Sequence, residues 1–301
     1  MADIKIYSFT PKKVPAPMAL RETPKGKAGP ASIPHDVFLN IIDFLIADAT
    51  GWETSTTWKV DYNHGVPLKL VVTEEVIAIV KPKQSTSQMT RYTRALIPSQ
   101  LNRRTRAAVN RVLPRAPMIS KDGKRLACDA WIRPDIDRFI PVCRTGSRKL
   151  REQELRFRQA IMLPTPQGAV LTGSIQRIFI PVSSYLSKTN ADSVAALAAL
   201  PNLREITLWV GSFYPDLNEL VCHGGLRSID PRVFPDLAAW ARTHGPDFAS
   251  VYHALEKRGI KLYAGLREIG QPYLEILDTK KGVRARVIDA NCTCCGADKL
   301  Y

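Results

Sequence analysis

The segment from Ser174 to Gly211 constrains the fold more tightly than any other part of the chain. "SIQRIFIPV" (174–182) is a β-branched run and "ADSVAALAAL" (191–200) is an alanine-rich helical stretch that Pro201-Asn202 breaks. "LREITLWVG" (203–211) is a second β run, with Leu203, Ile206 and Leu208 as its apolar positions. Two strands joined through a helix pair in parallel, because a parallel connection needs a crossover long enough to return to the same edge. Such crossovers are right-handed. The unit predicts a sheet with helices packed on it.

The other segments fill in that sheet and its cover. "IPHDVFLNIIDFL" (33–45) reads as a helix entered through Pro34, where a missing N–H costs nothing. Val37, Phe38, Ile41, Ile42 and Leu45 form its apolar stripe. A helix this short is marginal alone in water, so the stripe belongs either to the core or to a partner-binding face. Strands follow it instead of further helices, which favours the protein's own core. "TTWKVDY", "PLKLVVTEE" and "VIAIVKP" read as strands around a turn at Asn63-His64-Gly65, and "KQSTSQMT" as a polar loop. "LIPSQLNRRTRAAVNRVLPR" predicts one helix opening at Pro98 and closing before Pro114. Leu101, Ala108 and Val112 share its apolar face, Arg103 and Arg106 lie opposite, and Arg104 and Arg111 flank the stripe.

"LACDAWIRPDIDRFIPV" predicts two short strands around Arg133-Pro134-Asp135. A charged helix over 147–162 turns Leu150, Phe157 and Ile161 inward. "PDLAAWART" and "GPDFASVYHALEKRG" read as two helices, the second burying Phe248, Val251, Tyr252 and Leu255 and stopping at Gly259. "IKLYAGL" is a strand, and "PYLEILDTKKGVRARVI" a β-hairpin. The expected class is α/β (mixed α+β): a mixed sheet with packed helices, one strand–helix–strand parallel unit and a C-terminal hairpin. The expected divisions are a flexible basic tail at 1–31, an α/β domain at 32–211, C-terminal helices and hairpin packed on it at 212–290, and a cysteine-containing tail at 291–301.

No stretch of the 301 residues approaches the twenty or so apolar residues of a membrane span, so no membrane partner is expected. The N-terminus lacks the apolar block of a secretory signal, which predicts an intracellular protein, cytoplasmic or nuclear, with free thiols.

Net charge is +15 and it is clustered. From Lys81 to Arg125 there are twelve Lys or Arg and one acid, Asp122. Such a cluster is either a solvated basic surface or a footprint for phosphate-bearing partners. Arg103, Arg104, Arg106 and Arg111 are the candidate phosphate ligands. The segment 81–125 contains one aromatic, Tyr92, and nothing in it marks base reading.

No assembled catalytic motif is present. The five histidines include no metalloprotease spacing, and there is no nucleophile elbow, phosphate loop or dinucleotide-binding glycine run. His253 flanks an apolar helix face and is expected to pack there. Cys292, Cys294 and Cys295 in "NCTCCGADKL" have the spacing of half a zinc knuckle, but a structural zinc needs a second ligand pair. Asp129, Asp135 and Asp137 crowd one segment, where turn chemistry beside Pro134 is the expected role and a cation site the alternative. No cofactor or metal is expected.

Two resemblances bear on function. Ile33-Pro34, Asp36-Val37, Ile41-Ile42 and Phe44-Leu45 resemble the opening helix of an F-box, the module by which adaptors grip a ubiquitin-ligase scaffold. More broadly, the layout resembles the fungal 2-EXR domain. That family has a similar first helix, and then a helix matched here by Leu101-Asn102-Arg103-Arg104-Thr105-Arg106. A turn follows, matched by Arg133-Pro134-Asp135-Ile136-Asp137, and the later strands correspond to Ile175–Val182 and Leu203–Val210. The family's two Glu-x-Arg triplets read Asp36-Val37-Phe38 and Arg104-Thr105-Arg106 here. The resemblance spans roughly residues 32–210. It implies a non-enzymatic, intracellular protein-interaction module with a protein partner, the ubiquitin-ligase scaffold among the candidates. A basic protein that binds nucleic acid through its phosphate backbone is the alternative, and an enzyme of unrecognised type is the third reading.

Overall fold

The computed structural model describes residues 33–51, 55–63, 69–74, 87–119, 126–141, 148–181, 191–209, 226–232, 234–265, 273–280 and 282–288. The chain is mixed α/β, with parallel and antiparallel strands in one sheet. In order, its elements are α1 (His35–Ala49), β1 (Thr57–Asn63), β2 (Lys69–Glu74), α2 (Ser87–Leu101), α3 (Arg103–Val112), β3 (Arg115–Ile119), β4 (Leu126–Trp131) and β5 (Arg138–Pro141). There follow α4 (Arg148–Met162), α5 (Pro166–Ser174), β6 (Arg177–Ile180), α6 (Ala191–Ala198), β7 (Glu205–Trp209), β8 (Arg227–Ser228), α7 (Pro235–Glu256), β9 (Lys261–Gly265), β10 (Tyr273–Thr279) and β11 (Gly282–Ile288).

Among the described residues, eleven strands run β4-β3-β2-β1-β5-β6-β7-β9-β10-β11-β8. β1, β5, β6, β7 and β9 form a parallel centre. The predicted crossover is present, with β6 and β7 in parallel register from Arg177↔Glu205 to Ile180↔Leu208. The hairpin is present too, β10 against β11, closed by Gly282 at φ 86°, a conformation that glycine adopts without a Cβ penalty.

Register explains the core. Trp58, Phe139, Ile178, Ile206 and Leu262 are cross-strand neighbours in one row, and all are buried. Side chains alternate across a strand, so this row faces one side, where Phe157, Leu171, Leu197, Phe248 and Leu255 of α4, α5, α6 and α7 join it. The residues one position earlier leave on the opposite side. They read Thr57, Arg138, Arg177, Glu205 and Lys261.

Several expectations are corrected. The polar loop at 83–90 overlaps α2, which starts at Ser87. The single helix from Pro98 is two helices. Pro98 lies inside α2, and Asn102 caps α3 by accepting from the Thr105 N–H at 2.9 Å. The break resets the helix phase. Thr105, Val109 and Leu113 are therefore buried, while Leu101 and Val112 are exposed and Ala108 is half-buried. The two helices expected at 235–243 and 245–259 are one, α7, because Leu237, Trp240, Phe248, Val251 and Leu255 all join the same core. Gly259 does stop the chain there at φ 69°. His253 is exposed and meets Glu256 instead of packing. The expected strand at 76–82 and the Asn63-His64-Gly65 turn lie wholly or partly outside the described residues, as does the tail at 1–31.

Candidate functional site

Three helices form a unit of their own at the β4 edge of the sheet. Ile42, Ile46 and Ala49 of α1 pack with Ala95 of α2, Val109 of α3, Leu113 and Trp131 of β4 in a cluster separate from the main core. α2 is fastened to the sheet by polar groups as well. The Gln88 side chain donates to the Trp131 carbonyl at 2.8 Å and accepts the Trp131 N–H at 2.9 Å, as a neighbouring strand would. One turn on, Arg91 is fully buried and forks onto Asp137, with Nη1 to Oδ2 at 2.7 Å and Nη2 to Oδ1 at 2.5 Å. Asp137 also accepts the Thr56 N–H, the Arg133 N–H and the Trp58 Nε1–H. It closes the turn after Pro134, its own N–H donating to the Arg133 carbonyl at 2.9 Å, and its role reaches beyond that turn. Every oxygen is taken by a donor, and the carboxylate knots α2, β1 and the β4–β5 turn together. Asp135 pairs with Arg133 at 2.9 Å, and Asp129 is exposed.

The predicted stripe of α1 divides in two. Ile42 is buried, Phe38 packs half-buried against the same cluster, and Leu45 is intermediate. Val37 and Ile41 are 42% and 44% exposed, and Phe44 is 71% exposed. Val37, Ile41 and Phe44 lie at spacings of four and three on the flank of the helix beyond Leu45, with Ile33 just ahead of the helix and also exposed. Asp36 and Asp43 stand along one edge of this outward stripe. The inward residues missed from sequence are Ile46 and Ala49.

On α3, Arg103, Arg104, Arg106 and Arg111 are all exposed. Arg106 is committed locally, its Nε donating to the Ser99 carbonyl at 2.9 Å. Arg103, Arg104 and Arg111 meet no carboxylate among the described residues. Arg115, just beyond the helix, lies over the Trp131 ring at 4.8 Å.

The sheet side away from α4–α7 carries a row of charged side chains that the sequence did not single out. Arg177 pairs with Glu205 at 3.4 Å, and Glu275 pairs closely with Arg286. Tyr263, between them in register, is buried. Burial pushes the Glu205 carboxyl above its ordinary range, against the opposing pull of Arg177, Arg138 and Lys261. Burial likewise raises the Tyr263 phenol, helped by Glu205 and Glu275. Perturbed groups in proximity mark a functional face or a structural network alike. Here each acid has an arginine against it.

A cleft of about 590 Å³ opens between α7 and the β8–β11 edge, with Ile229, Ala238, Ala241 and Val283 among its lining residues and Arg242 and Arg284 beside them. Among the described residues, no group of three or more His, Cys, Asp or Glu is placed to hold a metal ion. Cys292, Cys294 and Cys295 lie outside the described residues. No helix among those described is long and apolar enough to cross a membrane. Compared with known proteins, the chain matches no family model, no curated protein and no solved structure.

Proposed function

We propose that the chain is a non-enzymatic protein-interaction module of the 2-EXR or F-box-like kind, and that its docking element is the outward stripe of α1. The observation that supports this is that the apolar arc of α1 is wider than the part of it that packs inside the fold. Its inner side is satisfied by α2, α3 and Trp131, yet Val37, Ile41 and Phe44 remain in solvent beside Ile33. Single exposed apolar residues are ordinary, whereas a contiguous row of them on one helix is the usual mark of a contact surface. From Val37 to Phe44 the row extends about 10 Å, from the 1.5 Å rise per helical residue, long enough for a groove on a partner to grip.

The partner under this reading is the ubiquitin-ligase scaffold. Titration of the full chain against the purified scaffold subunit by biolayer interferometry tests it. Ile41→Asp and Phe44→Asp, at positions 44% and 71% exposed, are expected to lower affinity at least tenfold while leaving the thermal transition in place. Failure of the wild-type chain to bind, or binding that both variants retain in full, refutes the proposal.

A further inference from the structure

α3 concentrates positive charge where a helix tolerates it least. The first-turn N–H groups make the N-terminus the positive end of the helix dipole, which acids there normally relieve. In α3 the first turn contains Arg103, Arg104 and Arg106 and no acid. Arg106 turns back to the Ser99 carbonyl, and the Asn102 side chain takes the Thr105 N–H. Arg103, Arg104 and, two turns along, Arg111 extend into solvent without a carboxylate among the described residues. Ala107 and Asn110 lie between them, and both are exposed. The result is a low ridge with three unneutralised guanidiniums, about 10 Å from Arg104 to Arg111 at 1.5 Å per residue.

We propose that this face of α3 binds the phosphate backbone of a nucleic-acid duplex. A duplex presents one phosphate charge per 1.7 Å or so of axis, so each guanidinium can take a phosphate without deforming the helix. The forked donor geometry of arginine suits phosphate oxygens. α3 contains no aromatic residue, so it lacks the stacking platforms by which single strands are held. Between its arginines it offers Ala107 and Asn110, not the large apolar side chains that an interfacial helix buries in a membrane. Binding through these contacts is independent of base sequence.

The test is fluorescence anisotropy of the full chain with a fluorescein-labelled 24-base-pair duplex between 50 and 200 mM KCl. Each phosphate contact contributes about −0.9 to the slope of log K against log salt. Arg103→Gln, Arg104→Gln and Arg111→Gln are each expected to make the slope shallower by about 0.9. Together they remove about 2.7, roughly a 40-fold smaller loss of affinity across that salt range. Arg232→Gln, exposed at the other end of the sheet beside β8, is expected to leave the slope unchanged. The single variants serve if the triple variant unfolds early. The proposal is overturned if the duplex does not bind, if Arg232→Gln costs as much as an α3 substitution, or if the slope ignores all three. It is overturned equally if the chain sediments with phosphatidylserine vesicles through these arginines but ignores the duplex. Ile41→Asp and Phe44→Asp leave α3 intact, so this result and the scaffold result can fail separately.

Discussion

The buried Arg91–Asp137 pair makes the sharpest demand on the fold, and its two halves are unequal. Both side chains are fully buried. Replacing Arg91 by Met removes one cation and leaves Asp137 with the Thr56 and Arg133 N–H groups and the Trp58 indole N–H. Breaking a buried pair on one side costs about 3–5 kcal/mol. For a protein of this size that corresponds to a fall of about 6–20 °C in Tm, at roughly 2–4 °C per kcal/mol. Replacing Asp137 by Ala does more. It strands the Arg91 charge and also orphans those three N–H donors, each worth about 1 kcal/mol or more. The total, about 6–8 kcal/mol, is a large part of the 5–15 kcal/mol that holds a domain together. Urea unfolding followed by circular dichroism measures both variants, with Asp137→Asn as the milder substitute if the alanine variant does not accumulate. Asp137→Ala is expected to be the worse of the two. If Arg91→Met proves worse, or if both cost less than about 1 kcal/mol, the carboxylate is not the hub that the hydrogen bonds describe.

Two further outcomes follow from the sheet and its turns. Glu205 has its folded pKa raised above 4.5 by burial, so its neutral form is favoured in the native state and its contribution is fully present below pH 4.5 and lost as pH rises through the folded value. Glu205→Gln is therefore expected to stabilise the protein at pH 7, with the gain vanishing in acid, as thermal melts across pH 4–8 read directly; a gain that grows in acid refutes this. At Gly259, φ is 69° and no atom would meet an added Cβ within 4 Å, so Gly259→Ala isolates the backbone cost of a left-handed residue. A loss of about 1–2 kcal/mol in chemical denaturation is expected, and no loss would mean that the turn after α7 readjusts freely.

The elements legible in the sequence are those whose signal is local. The β6–α6–β7 crossover, the charged helix α4 and the β10–β11 hairpin each show their own period and their own stop. Those missed depend on distant partners. α5 buries Gly168, Leu171, Thr172 and Ser174, a set too small and polar to make a stripe; its one local mark is Thr165 capping ahead of Pro166. β3 contains Pro117, which argues against a strand, yet β3 pairs with β4 from Arg115↔Trp131 to Ile119↔Leu126 and with β2 at Val72↔Met118, so pairing with distant strands overrides the local signal. Pro98 misled in the other direction. It reads as a helix start, while the working cap is Asn102, four residues later.

The candidate surfaces show the same limit from the functional side. Periodicity found α1 and its apolar residues, but the inner and outer parts of one apolar arc look like one broad stripe until something is packed against one of them. Trp131, Val109 and Leu113 make that choice, and they come from β4, from α3 and from the residue just after α3, sixty or more residues away from α1. By taking Ile42, Ile46 and Ala49 they leave Val37, Ile41 and Phe44 outside. Arginines obey the same logic with opposite sign. Net charge cannot distinguish a neutralised arginine from a free one, and within one short stretch the two fates diverge: Arg91 is fully buried on a carboxylate, while Arg103, Arg104 and Arg111 meet none among the described residues. What singles out α1 and α3 for the two proposals is therefore not their composition. It is that the tertiary structure satisfies one side of each helix and leaves the other unsatisfied.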